Sequence, residues 1–461
     1  MNAVFHLFRC AALVDAAGCF ITEDAALLMR GDSVVAADRW AEIQHHPAVS
    51  RAVTVNLPGH LLLPAMVNAH CHLDLTNIGP LEYERAAGFV SWVRTIMERR
   101  PADEQETRDA VRQGISLSLA GGTGVVGDIA GAGSLIPAQV LRESHLQGTS
   151  FVEIFGMGKN QAAGIRLVEK VKQEAGSYRG GVRLGLQPHA PYSAGPNVYR
   201  GAQATRLAVS THLAETPEER RFIMRGDGPF RELLESIGKW DDSITQGKNT
   251  PGQGIHPVEY LLTVLETEKK EEAGTVLLAH VNDTGEEAQA ERLLRLLQKA
   301  DVHIVYCPRA NDYFHRADDF GPHRYREMLR MGINVAIGTD SIVGFPPDET
   351  DRISILDEMK HLYRRDSTEP MVLLTMATIN GAEALSLPPG EVTFSGERLA
   401  GLAAVDLGET QPGADPLLRA LKEGSRARTL AVRDGKGGLT VAAVTGGCIG
   451  SLPAKPGKND A

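Results

Sequence analysis

The chain has 461 residues, with 48 Lys and Arg against 58 Asp and Glu, for a net charge of −10 at pH 7. The acidic residues are spread along its length and aromatics make up only 5%, which argues against nucleic acid or an anionic membrane surface as a partner. Five scattered cysteines with no CxxC pair argue against a disulfide framework and fit a reducing compartment.

The first residues, "MNAVFHLFRCAALVDAAGCF", read as strands rather than as a signal peptide. No run of about 18 apolar residues predicts a membrane span, so the expected protein is soluble and cytoplasmic. Residues 1–60 carry short alternating segments punctuated by Gly and Asp, as in a small β-structure.

From 61 to 385 the rhythm changes to short apolar runs alternating with helical patterns. Strands are predicted at 64–73, 123–129, 150–156, 182–189, 206–214, 275–281, 302–308 and 334–341. Amphipathic stretches such as "TRDAVRQGISLSLA" and "GEEAQAERLLRLLQKA" lie between them. Eight such units predict an α/β fold, a closed (β/α)8 TIM-type barrel. A doubly wound sheet is the competitor, but no GxGxxG follows the first strand. The polar segment 217–255 reads as an insertion over the barrel mouth after strand five. After 386 short strands return, predicted to form a composite β-sandwich with residues 1–60, and 452–461 reads as a frayed tail.

"VNAHCHLDL" (67–75) ends the first barrel strand and places His70 and His72 on one face, with Cys71 pointing away to pack. Strand five ends in His212, strand six in His280 and strand eight in Asp340. In a parallel barrel these ends open onto one face, so residues distant in sequence converge there. His70, His72, His212 and Asp340 form a mixed N/O set without thiolate, which suits Zn2+ or Fe2+ at a catalytic rather than a structural site. Cys307, next to Pro308, reads as structural. Glu215, three residues past His212, can move protons to and from water, whereas Glu218 and Glu219 read as solvated helix residues. His280 is either a further ligand or, the preferred role, a group that orients the water.

The ordered motifs "PAMVNAHCHLDL", "PHAPYS", "THLAET", "LLAHV", "YCPRANDYF" and "AIGTDS" resemble the amidohydrolase superfamily. Within it they are similar to the mononuclear branch of cytosine deaminase, S-adenosylhomocysteine deaminase and the triazine hydrolases. The resemblance implies one divalent metal on His70, His72, His212 and Asp340, Glu215 as proton shuttle, His280 as orienting group and Asp340 as a second proton acceptor. It also implies that His189 contacts substrate. The binuclear branch carries a carboxylated lysine on strand four, which "VRLGLQPH" lacks, and Zn2+ is expected ahead of Fe2+.

The implied activity is hydrolytic deamination of an amino-substituted nitrogen heterocycle or nucleoside, by a hydrolase acting on C–N bonds other than peptide bonds. Chlorohydrolase or cyclic amidohydrolase chemistry on the same scaffold is the alternative, and a non-catalytic scaffold a more distant one. Arg309, taken as a substrate contact, is expected to pair with an anionic or carbonyl part of the substrate, the alternative being a surface or supporting arginine. Trp92, with Phe89, is expected either to form an apolar lid or to pack on the barrel. Barrels of this branch are often homo-oligomers. Residues 405–425 depart from the family's usual ending.

Overall fold

The structure, a computed structural model, describes residues 4–178, 180–265, 274–396, 398–408, 413–422, 424–434, 436–445 and 448–453. Eight parallel strands form the central sheet: Met66–Cys71, Thr123–Ala130, Gln147–Ile154, Val182–Pro188, Val209–Leu213, Val276–His280, His303–Tyr306 and Val335–Ile337. Each overlaps a strand expected from the apolar runs, with ends displaced where the chain leaves the ladder and turns into the mouth. Strands one to three and five to six are buried throughout, which is why they read as near-continuous apolar runs rather than as alternation.

A bridge between Cys71 and Asp340 joins the first strand to the segment after the eighth and closes the barrel. Asn68 secures this seam: its Nδ2 donates to Thr339 Oγ1 at 2.8 Å, and its Oδ1 accepts from the Thr339 N–H at 3.1 Å. The closure therefore lies directly beside His70 and Asp340.

Local signals explain the helices. Glu104–Ala120 starts where Asp103 accepts the Glu106 N–H at 2.9 Å and Glu106 accepts the Ala102 N–H at 2.8 Å, a variant of the capping box. Its buried residues Ala110, Val111, Gly114, Ile115 and Ser118 recur at helical spacing. The polar segment after strand five contains two helices, Pro217–Arg225 and Pro229–Ser236, each with proline in its first turn. Their apolar faces point inward: Phe222 and Ile223 in the first, Phe230, Leu233 and Leu234 in the second.

The terminal segments join in one sheet. Its order runs Leu439–Val441, Ala427–Arg433, Gly401–Asp406, Val53–Pro64, Phe5–Val14, Ala25–Arg30 and Ser33–Arg39, with Phe20–Ile21 beside Phe5–Val14. Phe8, Leu13, Leu27, Leu57, Leu62, Leu402 and Leu430 share one core on it. Val53–Pro64 belongs to this sheet, and the chain enters the barrel through Ala65 alone. The expected tail lies outside the described residues from 454 onward. Among the described residues no helix is long and apolar enough to cross a membrane.

Candidate active site

At the C-terminal ends of the strands the four histidines and Asp340 meet. The His70 ring lies 5.1 Å from His72, 5.0 Å from His212 and 5.5 Å from His280, centroid to centroid. Asp340 brings Oδ1 to 3.5 Å from His72 Nε2, and Oδ2 to 3.9 Å from His280 Nε2. Ligand atoms of His70, His212 and His280 lie within 4.8 Å of one another, as do those of His70, His72 and Asp340. Donors at that spacing can share a single cation.

The side chains themselves fit such an ion. Both ring nitrogens of His70, Nδ1 of His72 and Nε2 of His280 are buried without a hydrogen-bond partner, an arrangement that is costly unless something occupies it. His212 Nδ1 donates to the His189 carbonyl at 3.0 Å, which sets its tautomer and leaves the Nε2 lone pair for a metal. Burial, reinforced by the neighbouring imidazoles, holds His70, His72 and His280 well below the usual histidine value. They are therefore neutral, the ligating form. Burial also pushes Asp340 up to about 7, which a bound cation would reverse. Imidazole and carboxylate donors without thiolate suit a divalent ion of the zinc or iron type.

Glu215 follows strand five, with Oε1 3.9 Å from His280 Nε2. Burial drives its carboxyl well above the usual range despite the opposing charge of Arg316, and a cation bound beside it would oppose that shift as it would that of Asp340. The backbone here is strained. Ala214, His280, Val281 and Asp340 have φ of 50°, 70°, 50° and 58°, a left-handed region unfavourable for non-glycine residues and most so for a β-branched one. His323 braces one such turn: its Nδ1 accepts from the Tyr325 N–H, so its Nε2 donates to the His280 carbonyl at 2.9 Å.

A cavity of about 590 Å³ opens above this cluster, with His72, His212, Glu215, His280 and Asp340 in its lining. Its walls are apolar, built by Trp92 and Ile96 from helix Phe89–Arg99, Phe155 and Met157 after strand three, and Phe230, Leu233 and Leu234 from the insertion. Glu218 ties the insertion to that helix by accepting the Phe89 N–H at 3.2 Å. Apolar walls around a few polar groups are the lining of a small-molecule site.

A sequence model of the amidohydrolase family matches residues 61–431. The chain belongs to the amidohydrolase family. It is 27% identical to the aminodeoxyfutalosine deaminase of Deinococcus radiodurans over 383 residues, 76% of this chain and 79% of that one. It is 28% identical to a 5-methylthioadenosine/S-adenosylhomocysteine deaminase of Moorella thermoacetica over 377 residues, 78% of this chain and 77% of that one. Among solved structures, an adenosine deaminase from Xanthomonas campestris with bound zinc superposes with a TM-score of 0.68 at 18% identity, covering 95% of this chain and 93% of that one. That last likeness is one of fold. Membership of the family makes the chain a hydrolase and implies a divalent metal ion.

The amidohydrolase cavity takes in most of the residues singled out in the sequence, but not all. His189 and Trp92 both line it. Trp92 Nε1 donates to the Tyr313 hydroxyl at 3.1 Å, so the indole offers the cavity its ring. Arg309 is a correction. The chain turns into helix Pro308–Tyr313 immediately after strand seven and carries Arg309 to a different cavity. There its Nε donates to Glu358 at 2.5 Å and its Nη1 to Glu349 at 2.9 Å, with the guanidinium 4.0 Å from the Phe345 ring centroid. It does not line the cavity above the histidine cluster.

Glu219 is a second correction: the carboxylate expected in solvent is fully buried. Thr216 Oγ1 accepts the Glu219 N–H at 3.0 Å, while Glu219 accepts the N–H of Ala214 at 2.9 Å and of Glu215 at 2.8 Å. The signal was present in "TPEE", a T-x-x-E capping box. By holding strained Ala214 and the backbone of Glu215, Glu219 sets where the Glu215 side chain points. Glu219→Ala leaves two buried N–H groups unpaired, so urea unfolding is expected to show a loss of about 2–4 kcal/mol. Glu219→Gln keeps one acceptor and is expected to lose less.

Proposed function

We propose that this amidohydrolase is a mononuclear metal-dependent aminohydrolase that removes ammonia from an amino-substituted purine carried as a nucleoside. The observation that carries the proposal is a buried Glu215 beside a His/Asp cluster, at the base of a cavity with apolar walls. The named activities of the relatives agree with it.

In this proposal His70, His72, His212 and Asp340 hold the ion, with zinc put ahead of iron on the zinc-bearing structural neighbour. When bound, the ion supplies Lewis acidity that makes water a competent nucleophile near neutral pH. Glu215 takes a proton from the attacking water and passes it to the ring nitrogen next to the reacting carbon. Asp340 takes the second proton, which goes to the departing amino group, and ammonia leaves as the ring carbonyl forms. His280 orients the oxygen, His189 meets the edge of the heterocycle and Trp92 covers its face. The barrel from Met66 onward is the catalytic unit, and the sheet built from the terminal segments supports it. Five free cysteines, three of them buried, support a cytoplasmic location.

The test is ammonia release by metal-loaded enzyme over a panel of adenine nucleosides, cytosine and guanine, with a chlorinated triazine as control. Ammonia from a nucleoside supports the proposal. Chloride release alone would move the enzyme to a different leaving group.

A further inference from the structure

Three carboxylates line the cavity, Glu153, Glu215 and Asp340, and the mechanism above uses only two. Glu153 interrupts the apolar run of strand three, "SFVEI", and is 1% exposed. Its Oε2 is engaged: it accepts the Ala132 N–H at 2.8 Å and Arg100 Nη2 at 3.4 Å. Its Oε1 has no hydrogen-bond partner. The ring nitrogen facing it, His189 Nε2, stands 3.7 Å away, beyond hydrogen-bond reach.

The support around Glu153 keeps it anionic. Arg100 bridges it to Asp74, with Nη1 3.2 Å from Asp74 Oδ2. Gly131 makes that bridge sterically feasible, since a Cβ there would run into the Arg100 guanidinium and the Asp74 carboxylate. Burial raises the Glu153 carboxyl, but Arg100, His189 and the Ala132 N–H outweigh it and place it below its usual value. An ionised, desolvated oxygen without a donor, on a residue that lines the cavity, is a strong demand for one.

Its position identifies the donor. The His189 ring lies 5.0 Å from that of His212, and Glu153 Oε1 lies 3.7 Å from His189 Nε2. A heterocycle whose reacting carbon sits by His212 and Glu215 presents its far edge to His189, and the substituent on that edge to Glu153. An anionic substituent would be repelled, and a purely apolar one would leave the carboxylate unpaired.

We propose that Glu153 is a specificity-determining residue whose free Oε1 accepts a hydroxyl of the sugar attached to the substrate heterocycle. This rests on the nucleoside aminohydrolase proposal above.

The experiment measures kcat and KM on metal-loaded wild type and Glu153→Gln, with adenosine and 5′-methylthioadenosine, each beside its 2′-deoxy and 3′-deoxy counterparts, and with free adenine. For the better ribonucleoside, wild type is expected to favour it over at least one deoxy counterpart by about 10–100-fold in kcat/KM, the range of a hydrogen bond to a charged group. Glu153→Gln is expected to lose a similar factor on that ribonucleoside, mainly through KM, and to discriminate by less than about 3-fold. Equal losses on every compound would mean that Glu153 only supports Arg100 and the Ala132 turn, and would overturn the inference. Should the variant fail to fold, wild type alone decides: indifference to both hydroxyls overturns it. Ammonia from adenine but not from nucleosides keeps the aminohydrolase and removes the sugar contact. Ammonia from none of them overturns the aminohydrolase proposal, and this inference with it.

Discussion

Glu215→Gln is expected to lower kcat by about 10²–10⁴-fold, the range of general acid–base catalysis, while the purified variant retains the metal content of wild type. The two outcomes separate because Glu215 stands outside both donor groupings of the cluster, with its Oε1 3.9 Å from His280 Nε2. Glutamine preserves the shape of the side chain but can neither take nor give the proton. The backbone that aims it is held independently by Glu219, so the loss reports chemistry rather than folding. Ammonia release and elemental analysis on one preparation test both halves. A variant that keeps more than about a tenth of wild-type kcat would remove Glu215 from the role of shuttle.

The second large effect is expected for His70→Ala/His72→Ala: metal content falling from about one ion per chain to background, with activity lost alongside it. His70 is fully buried at the centre of the cluster, within 5.5 Å, ring to ring, of the other three histidines. Removing both imidazoles of strand one leaves too few donors for a stable site. Chelation of wild type is expected to reproduce the loss and added Zn2+ to reverse it, whereas the double variant stays inactive in excess zinc. Metal retained by the variant would place the ion elsewhere.

Both predictions concern residues whose convergence at the barrel mouth is legible in the amino-acid sequence. Strand periodicity puts His70 and His72 on one face, and the parallel-barrel pattern brings His212, His280 and Asp340 to the same mouth, because every strand of such a barrel ends on one side. Glu153 and Glu219 are not legible there as site residues. Glu153 sits within an apolar strand, where a lone carboxylate carries no local sign of its partner, and Arg100 comes from a helix end 53 residues away in sequence. Glu219 lies in a helix start whose charges look solvated until the insertion folds back over them. Arg309 misleads for the opposite reason: the residues that neutralise it, Glu349 and Glu358, come from a later segment.

The walls of the cavity divide the same way. The segment 217–255 is polar overall, yet its few apolar residues fall at helical spacing and turn Phe230, Leu233 and Leu234 inward. The barrel, its order of strands and the His/Asp cluster are written in the chain itself, since they follow from short-range period and chain direction. Which carboxylates are buried, where Arg309 goes and what encloses the cavity are settled by folding alone. Those features depend on contacts between segments far apart in the chain, and a side chain's desolvation and charge partners exist only once those segments pack.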